Sequence, residues 1–155
     1  MITLRKIELS DTNNIIRWRN NPKVLKQFID QNLLTEEMHL YWMKNYVDTG
    51  KVSQFIIISD GIDVGCIFIR DIDFENKTGE YGIFIGEDKY RGKGIGHKAS
   101  LLLIQYAFSE LKLNTLMLRV KKTNIKAIET YEKLGFKEKN IENGIIFMEI
   151  VRGII

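Results

Sequence analysis

Arg91-Gly92-Lys93-Gly94-Ile95-Gly96 is the stretch of this chain best suited to hold an anion. Before it runs a short apolar, β-prone segment, Tyr81 to Ile85. After it comes a longer stretch, Lys98 to Leu111, which lacks Gly and Pro and is rich in Leu and Ala. Glycines at such a strand-to-helix junction free the backbone to curl, so several N–H groups can point at one spot. The positive end of the helix dipole lies at the same spot. That chemistry suits a phosphate or pyrophosphate. The segment is not a P-loop, because no Gly-Lys-Ser/Thr follows. Its glycine spacing does not fit a dinucleotide fingerprint, and no early βαβ unit surrounds it.

A second informative segment begins about thirty residues on and runs from Asn124 to Phe136. Thr123 or Asn124 can cap a helix there, and Gly135 can end it. Asn124, Ala127, Ile128 and Tyr131 fall on one face at helical spacing. A strand, Thr115 to Val120, precedes this helix.

Together the two segments resemble the GNAT superfamily of acyl-CoA-dependent N-acyltransferases. The family's pyrophosphate loop has Arg or Gln, two residues, Gly, one residue, then Gly or Ala; Arg91, Gly94, Ile95 and Gly96 fit it. Its second signature is matched by Asn124, Ala127, Tyr131, Gly135 and Phe136. The resemblance runs from about residue 2 to the C-terminus. It implies a single GNAT domain over residues 1–155, acetyl-CoA as cosubstrate, and no metal. It also implies that the N–H groups of Arg91, Gly92, Lys93, Gly94, Ile95 and Gly96 hold the cofactor's pyrophosphate. The strand carrying Ile83 and Ile85 would pair with the pantetheine arm, and a backbone N–H there would polarise the thioester carbonyl. Asn124 would bind the cofactor or cap its helix. Tyr131 would protonate the departing thiolate, since a phenol with an ordinary pKa of about 10 can act as an acid. Glu80, at the start of the central strand, is the candidate for the amine's proton, with Asp71, Asp73 and a water chain as alternatives.

The N-terminal third carries Arg19-Asn20-Asn21-Pro22 and, about twenty residues on, His39 within Leu34 to Trp42. This pair of segments resembles the amino-sugar N-acetyltransferases of pseudaminic acid synthesis, which acetylate the 4-amino group of a UDP-linked 4-amino-4,6-dideoxy sugar. The resemblance implies that Arg19 and His39 hold the nucleotide end, a role that suits a two-pronged guanidinium and an imidazole. Where those enzymes have a Thr-Lys pair this chain has Ile69-Arg70, and a ligand-contacting Tyr is replaced by Phe84. Arg70 and Phe84 are therefore the further acceptor candidates. Arg-Asn-x-Pro also occurs in ribosomal-protein N-terminal acetyltransferases, the second reading. A CoA-binding module without catalysis is the third.

The bulk numbers agree with a globular enzyme. The 155 residues are enough for one domain with a substantial core, and 45% are hydrophobic with a single proline. Net charge is +3, from 23 basic and 20 acidic residues, too mild for a nucleic-acid binder. No apolar run approaches a membrane span, no secretory pattern opens the chain, and the lone Cys66 cannot form an internal disulfide. A cytoplasmic monomer or homodimer is expected.

The elements that must position these residues follow from periodicity. Ile2 to Glu8 reads as a strand, and Ser10 or Asp11 caps a helix to about Asn20. Pro22 opens a short segment. A helix starts at Thr35 and continues to about Val47. Gln54–Ser59 and Ile62–Asp71 form a hairpin across Asp60-Gly61. Asn76-Lys77-Thr78-Gly79 is a second turn. The helix from Gly94 to Leu111 is apolar on most sides and is expected to be buried. Strand 115–120, helix 124–134 and strands near 136–140 and 145–151 complete an α/β (α+β) sandwich. Its sheet is mixed and mostly antiparallel, flanked by helices.

Overall fold

The alternating and apolar runs pair into one seven-stranded sheet in the computed structural model, which describes residues 1–153. Its strands are β1 (Ile2–Lys6), β2 (Ser53–Ser59), β3 (Ile62–Asp73), β4 (Thr78–Ile85), β5 (Thr115–Lys121), β6 (Lys137–Glu142) and β7 (Ile145–Val151). They lie in the order β1-β2-β3-β4-β5-β7-β6. Every neighbouring pair is antiparallel except β4 and β5, which are parallel. That parallel pairing covers only Thr78–Thr115, Gly79–Leu116 and Glu80–Met117. Beyond Glu80 the two strands part, and this split is the origin of the functional cleft.

The helices are α1 (Thr12–Asn20), α2 (Pro22–Leu25), α3 (Glu36–Trp42), α4 (Ile95–Ser109) and α5 (Ile125–Leu134). Local chemistry explains their ends. Pro22 opens α2, and the Asn21 side chain accepts from Lys23 N at 3.0 Å. Thr35 caps α3 by accepting from Met38 N at 3.1 Å. After Trp42 the helix continues as one π turn, Met43–Val47. Gly135 ends α5 at φ 108°, a left-handed conformation that glycine adopts without strain.

The core occupies both sheet faces. One side packs Ala99, Leu103, Ile104 and Ala107 of α4 and Leu134 of α5 against Ile67, Ile69, Leu116 and Leu118. The other packs Ile15 and Trp18 of α1 with Met43 against Ile7 and Ile56. Trp18 is fully buried and fixes α1 to the end of β4. A Cβ at Gly86 would sit 2.0 Å from its ring, and its Nε1 donates to Glu87 at 2.6 Å.

Three expectations need correction. β1 ends at Lys6 rather than Glu8, because Glu8 N donates to the buried Asp11 carboxylate at 2.8 Å and starts a 3-10 turn. The second turn covers residues 74–77, so Thr78 and Gly79 already belong to β4. Asp73 holds that turn by accepting from Glu75 N and Asn76 N. Gly79 answers a packing need, since a Cβ there would meet Ile69 at 2.5 Å. Helix α4 is not buried all round: Leu101 and Leu102 remain 44% and 38% exposed.

Candidate active site

Strand β4 delivers the chain to the glycine loop through a short 3-10 turn, Asp88–Tyr90. Arg91 then ties the loop back to the strand it left. Its Nε donates to Ile85 O at 3.0 Å and its Nη2 to Gly86 O at 3.2 Å, while Nη1 pairs with Asp88. The Arg91 side chain thus shapes the loop. Gly92 and Gly94 take φ values of 75° and 77°, and nothing lies within 4 Å of where a Cβ would stand on either. The loop therefore has curled backbone, open space above it and the start of a fifteen-residue helix behind it. Those features fit a pyrophosphate. Gly92, Gly94, Ile95 and Gly96 line the cleft, whereas the Lys93 side chain is exposed and lies outside it.

The cleft is continuous and encloses about 930 Å³. One wall is β4, with Ile83, Phe84 and Ile85; facing it are Leu118, Arg119 and Val120 of β5 and Asn124, Ala127 and Tyr131 of α5. The side chain of Asn124 accepts from Ala127 N at 3.4 Å, so the residue caps α5 while lining the cleft. Tyr131 stands edge-on to Tyr81, with ring centroids 5.6 Å apart. Burial pushes the Tyr131 phenol up to about 12. At neutral pH it is therefore a proton donor, never a phenolate. Tyr81 in turn bonds Ser100 Oγ, which donates to Gly96 O at 2.6 Å. This hydroxyl pair links the aromatic cluster to the first turn of α4.

The N-terminal helices close the other end. Arg19 and His39 line the same cleft, as their spacing suggested. The Arg19 guanidinium lies 3.5 Å over the Phe28 ring, and Phe28 rests edge-on against Phe84 at 5.7 Å. Arg19 Nη2 donates to Asp30 O at 3.4 Å, while Nη1 is buried without a partner among the described residues. Burial lowers the Arg19 pKa from its ordinary value; Asp30 opposes this and Arg70 adds to it. His39 is 2% exposed, with Nε2 also unpartnered, and burial lowers its pKa against the pull of Asp11. Beside it Trp42 donates to Gln54 at 2.8 Å, and Gln54 donates to Cys66 Sγ at 3.0 Å.

Glu80 reaches the cleft but is fully engaged. Arg70 Nε donates to it at 2.9 Å, with Nη2 alongside, and Arg119 donates through Nε at 3.2 Å and Nη2 at 3.1 Å. Asp71 and Asp73, the other carboxylates considered as bases, do not line the cleft. Sequence reasoning missed Arg119 and Phe28. Arg119 occupies an outward position in an alternating strand, which reads as solvated surface. Phe28 lies in an irregular segment with no periodicity to interpret. The cleft lining is strongly basic: Arg19, Lys23, Lys26, Arg70, Arg91, Arg119 and Lys126 face Asp30 and Glu80.

A split mixed sheet with a glycine loop starting a helix at the split defines an acyl-CoA N-acyltransferase architecture. The spermidine N-acetyltransferase of Vibrio cholerae, solved with CoA and spermine, superposes with a TM-score of 0.89 over 99% of this chain and 96% of its own, at 21% identity. The family model described as Acetyltransferase (GNAT) domain matches residues 1–137, and the chain belongs to that family. Two curated relatives bracket the acceptor question. The spermidine N(1)-acetyltransferase of Escherichia coli is 30% identical over 137 residues, 87% of this chain and 72% of its own. The acetyltransferase PseH of Campylobacter jejuni is 31% identical over 122 residues, 79% of this chain and 74% of its own. The protein is an acetyl-CoA-dependent N-acetyltransferase.

Proposed function

We propose that this enzyme acetylates the 4-amino group of a UDP-linked 4-amino-4,6-dideoxy sugar, by direct attack within a ternary complex. The observation that carries the reading is the Arg19 guanidinium, buried in the cleft on the Phe28 ring with Nη1 unpartnered. A buried guanidinium with free donors calls for an anion, and a diphosphate answers it in two-pronged fashion. The basic lining supports the same choice. Spermidine is a polycation, and a cleft with Arg19, Arg70 and Arg119 at its acceptor end repels it. Phe84 serves as a wall for Phe28 in place of the hydroxyl contact its family counterpart makes.

Residue roles follow from position. The backbone of residues 91–96 holds the pyrophosphate at the start of α4, Asn124 lines the cofactor channel, and an N–H of the strand carrying Ile83 and Ile85 polarises the carbonyl. The amine nitrogen attacks that carbonyl, the C–S bond breaks, and the Tyr131 hydroxyl gives its proton to the sulfur. His39 and Arg70 stand with Arg19 at the acceptor end. Glu80 can take the ammonium proton only when the guanidiniums release it; otherwise that proton leaves through water at the open mouth.

The test is turnover of a UDP-4-amino-4,6-dideoxy sugar, spermidine and a basic peptide in parallel, followed as CoA release. The sugar nucleotide is expected to give the highest kcat/KM. Arg19→Ala should raise its KM by roughly one to two decades, the loss of a charge-assisted bond to phosphate, and leave acetyl-CoA binding intact. Preference for spermidine or the peptide would overturn the reading.

A further inference from the structure

Glu80 sits between two guanidiniums on neighbouring strands, Arg70 of β3 and Arg119 of β5. The carboxylate is only 20% exposed, and it stands at the last paired position of β4 and β5, where the sheet opens. Each guanidinium has donors left over after binding it. Arg19 faces the same region: the positive charge of Arg70 is one of the influences on its pKa, and its own Nη1 is unpartnered. Three guanidiniums thus converge on one carboxylate in a cleft otherwise short of negative charge.

We propose that Glu80 is a displaceable counter-ion, and that an anionic acceptor takes its place on Arg70 and Arg119. Arg119 is then a specificity-determining residue for acidic acceptors. This rests on the amino-sugar nucleotide reading above. A diphosphate carries more charge and more acceptor oxygens than a carboxylate, so it competes well for the same donors. A polycation gains nothing from the exchange. It meets the guanidiniums as like charges, and the one carboxylate that could receive it is already held. The arrangement also keeps the empty cleft from presenting three bare cations to one another. The same displacement sets Glu80 free only when an acceptor is present.

The experiment titrates UDP, and separately inorganic diphosphate, into the full chain saturated with CoA, so that the glycine loop is already filled. Arg119→Gln should weaken UDP by about tenfold, the low end for a lost charge-assisted bond. Glu80→Gln should tighten UDP several-fold, because the competing carboxylate is gone. CoA affinity should not change in either variant. Unchanged or weakened UDP binding in Glu80→Gln, with CoA still bound, overturns the proposal. If that variant does not fold, Arg119→Gln decides alone, and unchanged UDP affinity is the overturning result. Should UDP fail to bind while diphosphate binds and responds to both variants with these signs, the counter-ion exchange stands and the nucleotide-sugar reading falls. If neither anion binds, both fall.

Discussion

Tyr131 shows how environment assigns a chemical role to a side chain. Burial raises its pKa to about 12, so its proton is present throughout the ordinary working range. An acid of this kind gives no falling alkaline limb of its own below that value. Tyr131→Phe should lower kcat by roughly 10²-fold, in line with lost acid catalysis, and leave the acetyl-CoA KM nearly unchanged. A kcat–pH profile on wild type should show no decline assignable to Tyr131 up to pH about 10. Unaltered turnover in the Phe variant would return Tyr131 to a packing role against Tyr81 and Phe136. Arg91 carries a different lesson. Its place in the family motif suggests a direct phosphate contact, yet its side chain bonds the carbonyls of Ile85 and Gly86 and fixes the loop.

At the scale of elements, the opening of α4 carries the cofactor argument. Gly96 has ordinary helical backbone, and a Cβ there would meet only Ile83 Cδ1 at 3.8 Å. Gly96→Val therefore adds bulk toward the cleft without forcing a left-handed residue. The variant should keep its thermal midpoint within a few degrees and bind acetyl-CoA at least tenfold more weakly, by calorimetry. Equal affinity would remove the loop from the binding site. At the next helix, Asn124→Ala removes the α5 cap and should cost about 1 kcal/mol in denaturant unfolding. Much of this was readable from the chain. The glycine loop, the Asn124-to-Phe136 helix and the hairpin at Asp60-Gly61 announce themselves through caps, turns and period. The acceptor end was readable only in part. Arg19 and His39 could be placed in one groove from their spacing and a family likeness. Phe28, Arg119 and the Glu80 clamp arise from contacts between elements distant in sequence, and no local pattern encodes them.

The whole molecule should be acid-sensitive through two groups on one side of the sheet. Burial alone would raise the Asp11 pKa, but the Arg5 bonds at 3.0 and 2.7 Å and the Glu8 N–H outweigh it and leave it below the ordinary value. A carboxylate depressed on folding stabilises the fold above its unfolded pKa of about 3.9, and that stability is lost as pH falls through the folded value. Burial holds His39 below its unfolded pKa of about 6.5. Below that pH the unfolded chain takes up its proton first, so stability begins to fall there. Thermal midpoints should be level above pH about 7, decline from about 6.5, and decline again below about 4. His39→Gln should remove the first decline and keep the second. Survival of the first decline in that variant would move its origin away from His39.

The parting of β4 and β5 beyond Glu80 leaves the sheet unfinished. Amide hydrogens alternate in direction along a strand, so about half of those from Tyr81 to Ile85 bond to β3 and the rest face the gap. The protein thus borrows its missing strand from a small molecule, and the cosubstrate is also a folding ligand. Deuterium should enter the gap-facing amides quickly in the free protein and slowly once CoA is bound, while the β3-facing amides stay protected in both states. At a hundredfold excess over Kd, CoA should also add about 2.7 kcal/mol to global stability. Cells starved of acetyl-CoA and CoA would then hold a less durable enzyme, one whose lifetime follows the supply of its own donor.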